Sequence, residues 1–166
     1  MYKTCRDLEE SLYVAPNEIR SCCQRFFFDG KALVDAALPL GVVLTIPAAG
    51  SETSTATVIT KEEGLIKRGS GSPLVVPMFA IMNPELTYTL PNFQTACGAV
   101  DMIGHVIERY ITKVKNVELT DRLCESVIRT VINNAPKAIT NNNDYNARAE
   151  IMWSGTLAHN GLVGTG

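Results

Sequence analysis

The sequence predicts an α/β region followed by an all-α region. Three observations support this prediction: a β-branched apolar run at 41–46, a change of hydrophobic period from two to about 3.6 near Asn83 and Pro84, and helical patterns after that point. With 46% hydrophobic and 19% charged residues, the composition is that of an ordinary globular protein. The length of 166 residues allows one domain or parts of two.

Three strands are expected in the first region, at 41–46, 55–60 and 78–82. The first is apolar on both sides, which is typical of a strand inside a sheet that is covered on both faces. A turn of small residues at 47–52 connects it to the second strand. Because no complete βαβ unit accompanies these strands, they indicate the edge of a sheet. A short helix is expected at 30–38, and residues 1–25 are interpreted as a helical or loose tail.

Three helices are expected in the second region, at 92–112, from 120 onward and at 145–160. Asn92 and Thr120 are the predicted N-cap residues of the first two helices, and Pro136 is predicted to interrupt the second. The apolar faces of these two helices are formed by Ala99, Ile103, Val106 and Tyr110 and by Leu123, Val127, Ile128, Val131 and Ile132. Small residues predict close packing of the third helix: Ser154, Gly155 and Ala158.

Charge and cysteine content exclude several classes of protein. Fifteen basic and seventeen acidic residues leave a net charge of −2, which gives no field that would attract nucleic acid or anionic lipid. No apolar run approaches the ~20 residues that span a bilayer, and the charged start of the chain does not resemble a secretory signal. The five cysteines form no C-x-x-C pair, so no disulfide framework or structural zinc site is expected. We expect a cytoplasmic protein that binds neither nucleic acid nor membranes.

Asp101 and His105 form the first candidate site. They lie at i and i+4 of a predicted helix, so their side chains share one face within reach of a common ion, and Glu108 extends the same polar stripe. A solvated helix face has the same pattern, and spacing alone favours that interpretation because a metal site needs at least three protein groups. The other histidine, His159, is expected to be packed and hydrogen-bonded.

The turn at Gly50 and Ser51 is the second candidate site. It follows an apolar strand, where free backbone N–H groups can approach a phosphate or a nicotinamide, although most such turns are only turns. Lys67, beside Arg68, has the pattern of ordinary solvated surface. The glycines at 161–166 resemble a dinucleotide fingerprint, but they follow a helix instead of a strand, and we reject that interpretation.

Several segments together resemble a known family, the iron-containing (group III) alcohol dehydrogenases, and especially its butanol dehydrogenase branch. The segments are GVVLTIPAAGSE at 41–52, FAIMNPELTYTLP at 79–91, GAVDMIGH at 98–105 and RAEIMW at 148–153. The order and spacing of these segments argue against a chance match. The resemblance covers residues 26–166, and residues 1–25 show no similarity.

The resemblance implies the last strands of a nucleotide-binding α/β domain followed by the first helices of a helical metal-binding domain. In that family one Asp and three His hold a divalent ion, Fe²⁺ or Zn²⁺. Asp101 and His105 match the first two ligands, which reverses the interpretation drawn from spacing alone. The other two ligands would lie beyond Gly166, and His159 matches neither of them.

The resemblance also implies cofactor contacts and a reaction. Gly50 and Ser51 match the family turn near the cofactor, NADP or NAD, and Lys67 matches a lysine that contacts it. Ala48 and Ala49 replace the Thr often found in that turn. The implied reaction is hydride transfer between a small primary alcohol or aldehyde and the nicotinamide, with no catalytic residue beyond the metal ligands, in a homo-oligomer.

We therefore expect an unassigned tail at 1–25, a partial α/β cofactor domain at 26–84 and a partial α-helical metal-binding domain at 85–166. On this interpretation the chain is a central fragment of an alcohol dehydrogenase and is inactive alone. The alternative is a non-catalytic helical interaction module or a gene remnant.

Overall fold

The computed structural model describes residues 3–4, 37–61 and 63–164. The predicted tail at 1–25 and helix at 30–38 lie almost wholly outside the described residues. The strands are β1 (Lys3–Thr4), β2 (Gly41–Val43), β3 (Ala56–Lys61), β4 (Ile66–Gly71) and β5 (Phe79–Ile81), and the helices are α1 (Asn92–Tyr110), α2 (Glu118–Thr140) and α3 (Tyr145–His159).

The chain divides into two compact units. One unit comprises residues 55–76 with the described residues before Gly41, and the other joins 41–54 to the chain from Pro77 onward. An α/β region followed by an all-α region is confirmed as the fold class. These two units are defined by contacts between residues of this chain, and they are not a test of domain boundaries. The domain division expected at residue 84 stays a prediction.

The first unit contains a three-stranded sheet in the order β1-β3-β4. Strand β3 pairs in parallel with β1 and in antiparallel with β4, where Ala56 stands opposite Gly71 and Lys61 opposite Ile66. The sequence pattern predicted β3 but missed β4. The reason is that β4 is mostly polar and exposed, with two glycines, so backbone pairing forms it without an alternating apolar pattern.

The second unit contains a separate two-stranded sheet in which β2 and β5 are parallel. The predicted strand at 41–46 is shorter than expected, because β5 offers only three residues for pairing and the last ladder bond runs from Leu44 N–H to the Ile81 carbonyl at 2.9 Å. The prediction that this strand is covered on both faces is wrong for the described residues, since Gly41 and Val43 are exposed. The three predicted strands therefore belong to two sheets instead of one.

All three predicted helices are present, with corrections at their ends. Pro91, not Asn92, is the N-cap residue of α1, and α2 starts after Val117, ahead of the predicted cap Thr120. Glu118 and Asp121 then lie in the first turn of α2, where acidic side chains interact favourably with the helix dipole. Helix α3 starts as predicted after Asp144, whose side chain accepts a hydrogen bond of 3.0 Å from the Ala147 N–H.

The predicted interruption of α2 at Pro136 is wrong, because the helix continues to Thr140. A proline inside a helix leaves the carbonyl four residues earlier without its usual donor. Here that carbonyl belongs to Ile132, which is 56% exposed, and Pro136 is exposed as well. Water can reach the carbonyl on this face, so the helix tolerates the proline.

The core of the second unit lies between the three helices. Its buried members are Ala99, Met102, Val106, Cys124, Val127, Val131, Ala135, Ala138, Ala147, Ile151, Ala158 and Val163. Tyr110 and Ile132, predicted to be buried, are exposed, because the inner faces of α1 and α2 are centred on Met102 and Cys124. Close packing of α3 is confirmed, since Ser154, Gly155 and Ala158 are all buried.

Arg148 of α3 is a buried cation that joins the helices. Its guanidinium donates to Thr95 Oγ1 at 3.0 Å, to the Ala138 carbonyl at 3.3 Å and to both Oδ1 and the backbone carbonyl of Asn142 at 3.2 Å. Burial lowers the pKa of Arg148, and the nearby Tyr88 opposes that effect. The side chain therefore ties α1, the end of α2 and the following loop to α3.

Candidate functional site

The turn at 47–53 packs against α1 and α3 within the second unit. Gly98 of α1 faces the Pro47 carbonyl so closely that a Cβ at this position would lie 2.6 Å from the oxygen. Gly155 of α3 lies on the other side, where a Cβ would be 3.7 Å from the Pro47 Cβ. The turn that follows β2 is therefore part of the helical packing and not a free loop.

Gly50 is placed where only glycine fits. Its φ of +58° is in the left-handed region, and a Cβ there would overlap the Cβ and Cγ of His159. The Gly50 carbonyl closes the turn by accepting hydrogen bonds from the N–H groups of Thr53 and Ser54, at 3.0 and 2.8 Å. Ser51 remains exposed at the tip, so its hydroxyl and backbone can meet a ligand.

Glu52 anchors the turn to α3. The side chain is 4% exposed, and its Oε1 accepts a hydrogen bond of 2.6 Å from Thr156 Oγ1. Its Oε2 is buried and has no hydrogen-bond partner within the described ranges. The role of Glu52 is not predictable from the sequence, because nothing local marks an acidic residue in a turn as buried.

Asp101 and His105 lie side by side on α1, as their spacing predicts. Asp101 Oδ1 and His105 Nε2 are 3.6 Å apart, and the two side chains are 48% and 37% exposed. A carboxylate oxygen and an imidazole nitrogen therefore face the same accessible space. This separation is slightly too long for a hydrogen bond, so the pair is a close polar contact.

His159 lies beside this pair. Its ring meets the His105 ring at a centroid distance of 4.4 Å and an interplanar angle of 67°. Burial first, and then the charges of His105 and Arg109, lower the pKa of His159 to about 4. Its packed state is confirmed, and a hydrogen bond with the Ala48 backbone, which opposes this pKa shift, agrees with the expected hydrogen bonding. Nε2 is buried without a hydrogen-bond partner among the residues that the structure describes. Sequence reasoning missed the contacts of His159 with both the turn and His105.

The remaining candidates lie elsewhere. Lys67 is on β4 of the first unit, opposite Thr60 of β3. The structure therefore brings Gly50, Asp101 and His105 into one unit, whereas Lys67 belongs to the other. The glycine-rich segment at 161–164 forms a turn after α3, which agrees with rejecting it as a phosphate loop.

Asp101 and His105 supply two donor groups of the kind that metal sites use. One carboxylate and one imidazole suit a divalent first-row ion such as Fe²⁺ or Zn²⁺. Among residues 3–4, 37–61 and 63–164, no group of three or more His, Cys, Asp or Glu side chains is placed to hold an ion. Any ion held here would need further ligands.

None of the described helices is both long and apolar enough to cross a membrane. The cytoplasmic location expected from the sequence stays a prediction.

Two family models match the chain and together cover most of it. The model for iron-containing alcohol dehydrogenase matches residues 12–84, and the model for the C-terminal part of the Fe-containing alcohol dehydrogenase family matches residues 95–165. The expectation that residues 1–25 show no similarity is wrong, because the match begins at residue 12.

Curated relatives and solved structures agree with these models. A probable NADH-dependent butanol dehydrogenase of Bacillus subtilis is 48% identical over 130 residues, which cover 78% of this chain and 34% of the relative. The NADPH-dependent aldehyde reductase YqhD of Escherichia coli is 41% identical, with 82% of this chain and 35% of the relative covered. The crystal structure of Escherichia coli YqhD matches with a TM-score of 0.81 at 37% identity, covering 91% of this chain and 37% of that chain.

The chain thus spans about a third of the length of the curated relatives that it matches. Both halves of the sequence match the same family, and the fold of the described residues matches solved members. The chain belongs to the iron-containing alcohol dehydrogenase family.

Proposed function

We propose that this chain contributes to a metal-dependent, NAD(P)-linked alcohol dehydrogenase that interconverts primary alcohols and aldehydes by hydride transfer. The observation that carries the proposal is the pairing of Asp101 with His105, 3.6 Å apart on one accessible face of α1 and next to the Gly50 turn. The names of the relatives support it, since a butanol dehydrogenase and an aldehyde reductase run one hydride transfer in opposite directions.

Asp101 and His105 would hold the ion, Fe²⁺ or Zn²⁺. The bound ion would supply a Lewis acid for the oxygen of the substrate. The protein's part is to present an imidazole nitrogen and a carboxylate from one helix, so that the two ligands reach the ion already aligned. Both side chains are partly exposed, which leaves them accessible to the ion and to a small alcohol or aldehyde.

The cofactor would contact the Gly50 turn and Lys67. At the turn, the exposed Ser51 offers a hydroxyl and a backbone N–H, and the anchoring of Glu52 by Thr156 holds this tip in place. Lys67 would supply a positive charge for a phosphate of NAD or NADP. Homo-oligomeric assembly and a cytoplasmic location are further parts of this proposal and come from the family resemblance.

A metal-binding measurement tests the proposal. We expect the purified chain to bind Zn²⁺ loosely in equilibrium dialysis, because two ligands fix an ion less well than four. His105→Ala and Asp101→Asn should each weaken binding by about tenfold or more. Glu118→Gln is the matched control, since this carboxylate is 77% exposed and pairs with Arg122 in its own helix.

An assay of alcohol oxidation by the purified chain is the second test of the proposal. We expect no change in nicotinamide absorbance when the chain is mixed with butanol and NAD or NADP, because the ion is incompletely held. Tight stoichiometric Zn²⁺ binding that survives both His105→Ala and Asp101→Asn would place the metal elsewhere. Equal loss of binding in the Glu118→Gln control would favour the alternative, a non-catalytic module with no specific site. Robust turnover would contradict the expected dependence on further ligands.

A further inference from the structure

The orientation of the His105 ring needs an explanation beyond its own helix. Asp101 is 3.6 Å away, too far to fix the ring through a hydrogen bond, and 37% of the His105 side chain is exposed. An imidazole on such a face can rotate about χ2, which is broad for histidine. The one ring contact recorded for His105 in the described part of the chain is the edge-on contact with His159.

His159 is held in place on two sides, so its ring can restrict the rotation of the His105 ring. It is the last residue of α3, and the carbonyl of the preceding Ala158 accepts a hydrogen bond from the guanidinium of Arg109 on α1. This bond ties the end of α3 to the helix that carries His105. Because the same ring occupies the space beside Gly50, it is held from the side of the turn as well.

His159 does not have the placement of a third metal ligand. No set of three potential donors converges on one point in the described ranges, although Asp101, His105 and His159 are neighbours. The contact between the two rings is one of packing, with an interplanar angle of 67°. Its consequence is therefore geometric: it limits the directions in which His105 can present its nitrogen.

The geometry points to His159 as a positioning residue that sets the orientation of the His105 imidazole and couples it to the Gly50 turn. The inference rests on the proposed function, because the orientation matters for binding of a metal ion. It adds to that function a residue outside the ligand set, whose action needs its ring and not its nitrogens.

Histidine spectra can test this directly, because the chain contains two histidines. In His159→Ala and His159→Phe variants every imidazole signal belongs to His105. In the metal-free chain, we expect the His105 ring resonances to shift in His159→Ala and to stay near their wild-type positions in His159→Phe, which keeps a packed ring. Trp153→Ala, a change at a 56% exposed aromatic residue of α3, serves as the control and should leave these signals unchanged.

Zn²⁺ affinity gives the second readout. We expect about tenfold weaker binding in His159→Ala and a change within about twofold in His159→Phe. Circular dichroism checks folding, and His159→Leu, which keeps apolar volume without a ring, replaces His159→Ala if that variant unfolds.

The outcomes separate the inference from the proposed function. Unchanged His105 signals in the ringless variants would overturn the positioning role whether or not metal binds. Binding by His159→Phe as weak as by His159→Ala would make the nitrogens essential and would also overturn it. If the wild-type chain binds no Zn²⁺, the proposed metal site fails, and the His105 spectra still decide whether His159 orients the ring.

Discussion

Thr156 Oγ1 donates a hydrogen bond of 2.6 Å to Glu52 Oε1, which joins residues 104 positions apart in the sequence. The bond links the turn after β2 to the last turn of α3. Since the second oxygen of Glu52 is buried without a partner in the described part of the chain, this single donor compensates the burial of a carboxylate. Among the described residues, the Glu52 carboxylate that anchors the turn therefore has a hydrogen bond to one of its two oxygens.

Thr156→Val should destabilise the chain by about 2 kcal/mol, because it removes the one donor that the described residues offer to a buried carboxylate and keeps the side-chain volume. Glu52→Gln should cost less than Thr156→Val, since the amide keeps an acceptor for Thr156 and removes the buried charge. Urea unfolding followed by circular dichroism measures both. A larger loss in Glu52→Gln would mean that the charge itself is stabilised by a group outside the described residues.

Gly98→Ala should destabilise the chain by about 1–3 kcal/mol, because its new Cβ would lie 2.6 Å from the Pro47 carbonyl and would push the turn away from α1. Gly104→Ala is the matched control on the same helix. A Cβ there meets nothing within 4 Å, so this change should stabilise the helix by up to about 1 kcal/mol. Thermal unfolding of the two variants should give shifts of opposite sign, and two stabilising shifts would disprove the close approach of the turn.

Arg148→Met should be strongly destabilising, by about 3 kcal/mol, because it leaves buried or half-buried acceptors on α1, on α2 and in the loop before α3 without this donor. Arg148→Lys should recover only part of this loss, since an ammonium cannot donate in the planar directions of the guanidinium. Arg129→Met, at an exposed position on α2, is the control and should stay within about 0.5 kcal/mol of the wild type. Similar urea midpoints for Arg148→Met and Arg129→Met would contradict the structural role.

Lys67→Ala should weaken binding of NADH or NADPH by about tenfold if a phosphate pairs with this ammonium. The adjacent Arg68→Ala is the control, because neighbouring residues of a strand point to opposite faces of the sheet. Nicotinamide fluorescence gives both dissociation constants. Equal affinities for the wild type and Lys67→Ala would remove Lys67 from the proposed cofactor site.

The local part of the site was predictable from the sequence. A spacing of four on a helix places Asp101 and His105 on one face whatever surrounds the helix, and the structure shows them 3.6 Å apart. Their assignment as metal ligands came from the family resemblance and stays a prediction. Helix α3 was equally predictable, since the polar turn before Tyr145 supplies the cap Asp144.

The contacts that assemble the site were not predictable. Gly50 and His159 meet only because α3 folds back beside the turn, and no local pattern reports a contact over that distance. Strand β4 was not predicted for a related reason, since its polar residues adopt an extended conformation by pairing with β3. The continuation of α2 through Pro136 depends on solvent access to one carbonyl, which a helical pattern does not specify.

The sheet of the first unit has a consequence for the order of folding. The second unit uses two separate stretches of chain, so pairing of β2 with β5 requires the intervening residues 55–76 to loop out and return. The β3–β4 hairpin closes its own base, where the Ser72 N–H donates to the Thr55 carbonyl at 2.9 Å. Because local hairpins form faster than distant parallel pairs, this hairpin should form first and shorten the loop that β2 and β5 must close. The mostly exposed, polar strand β4 thus lowers the entropic barrier to assembling the unit that carries Asp101 and His105.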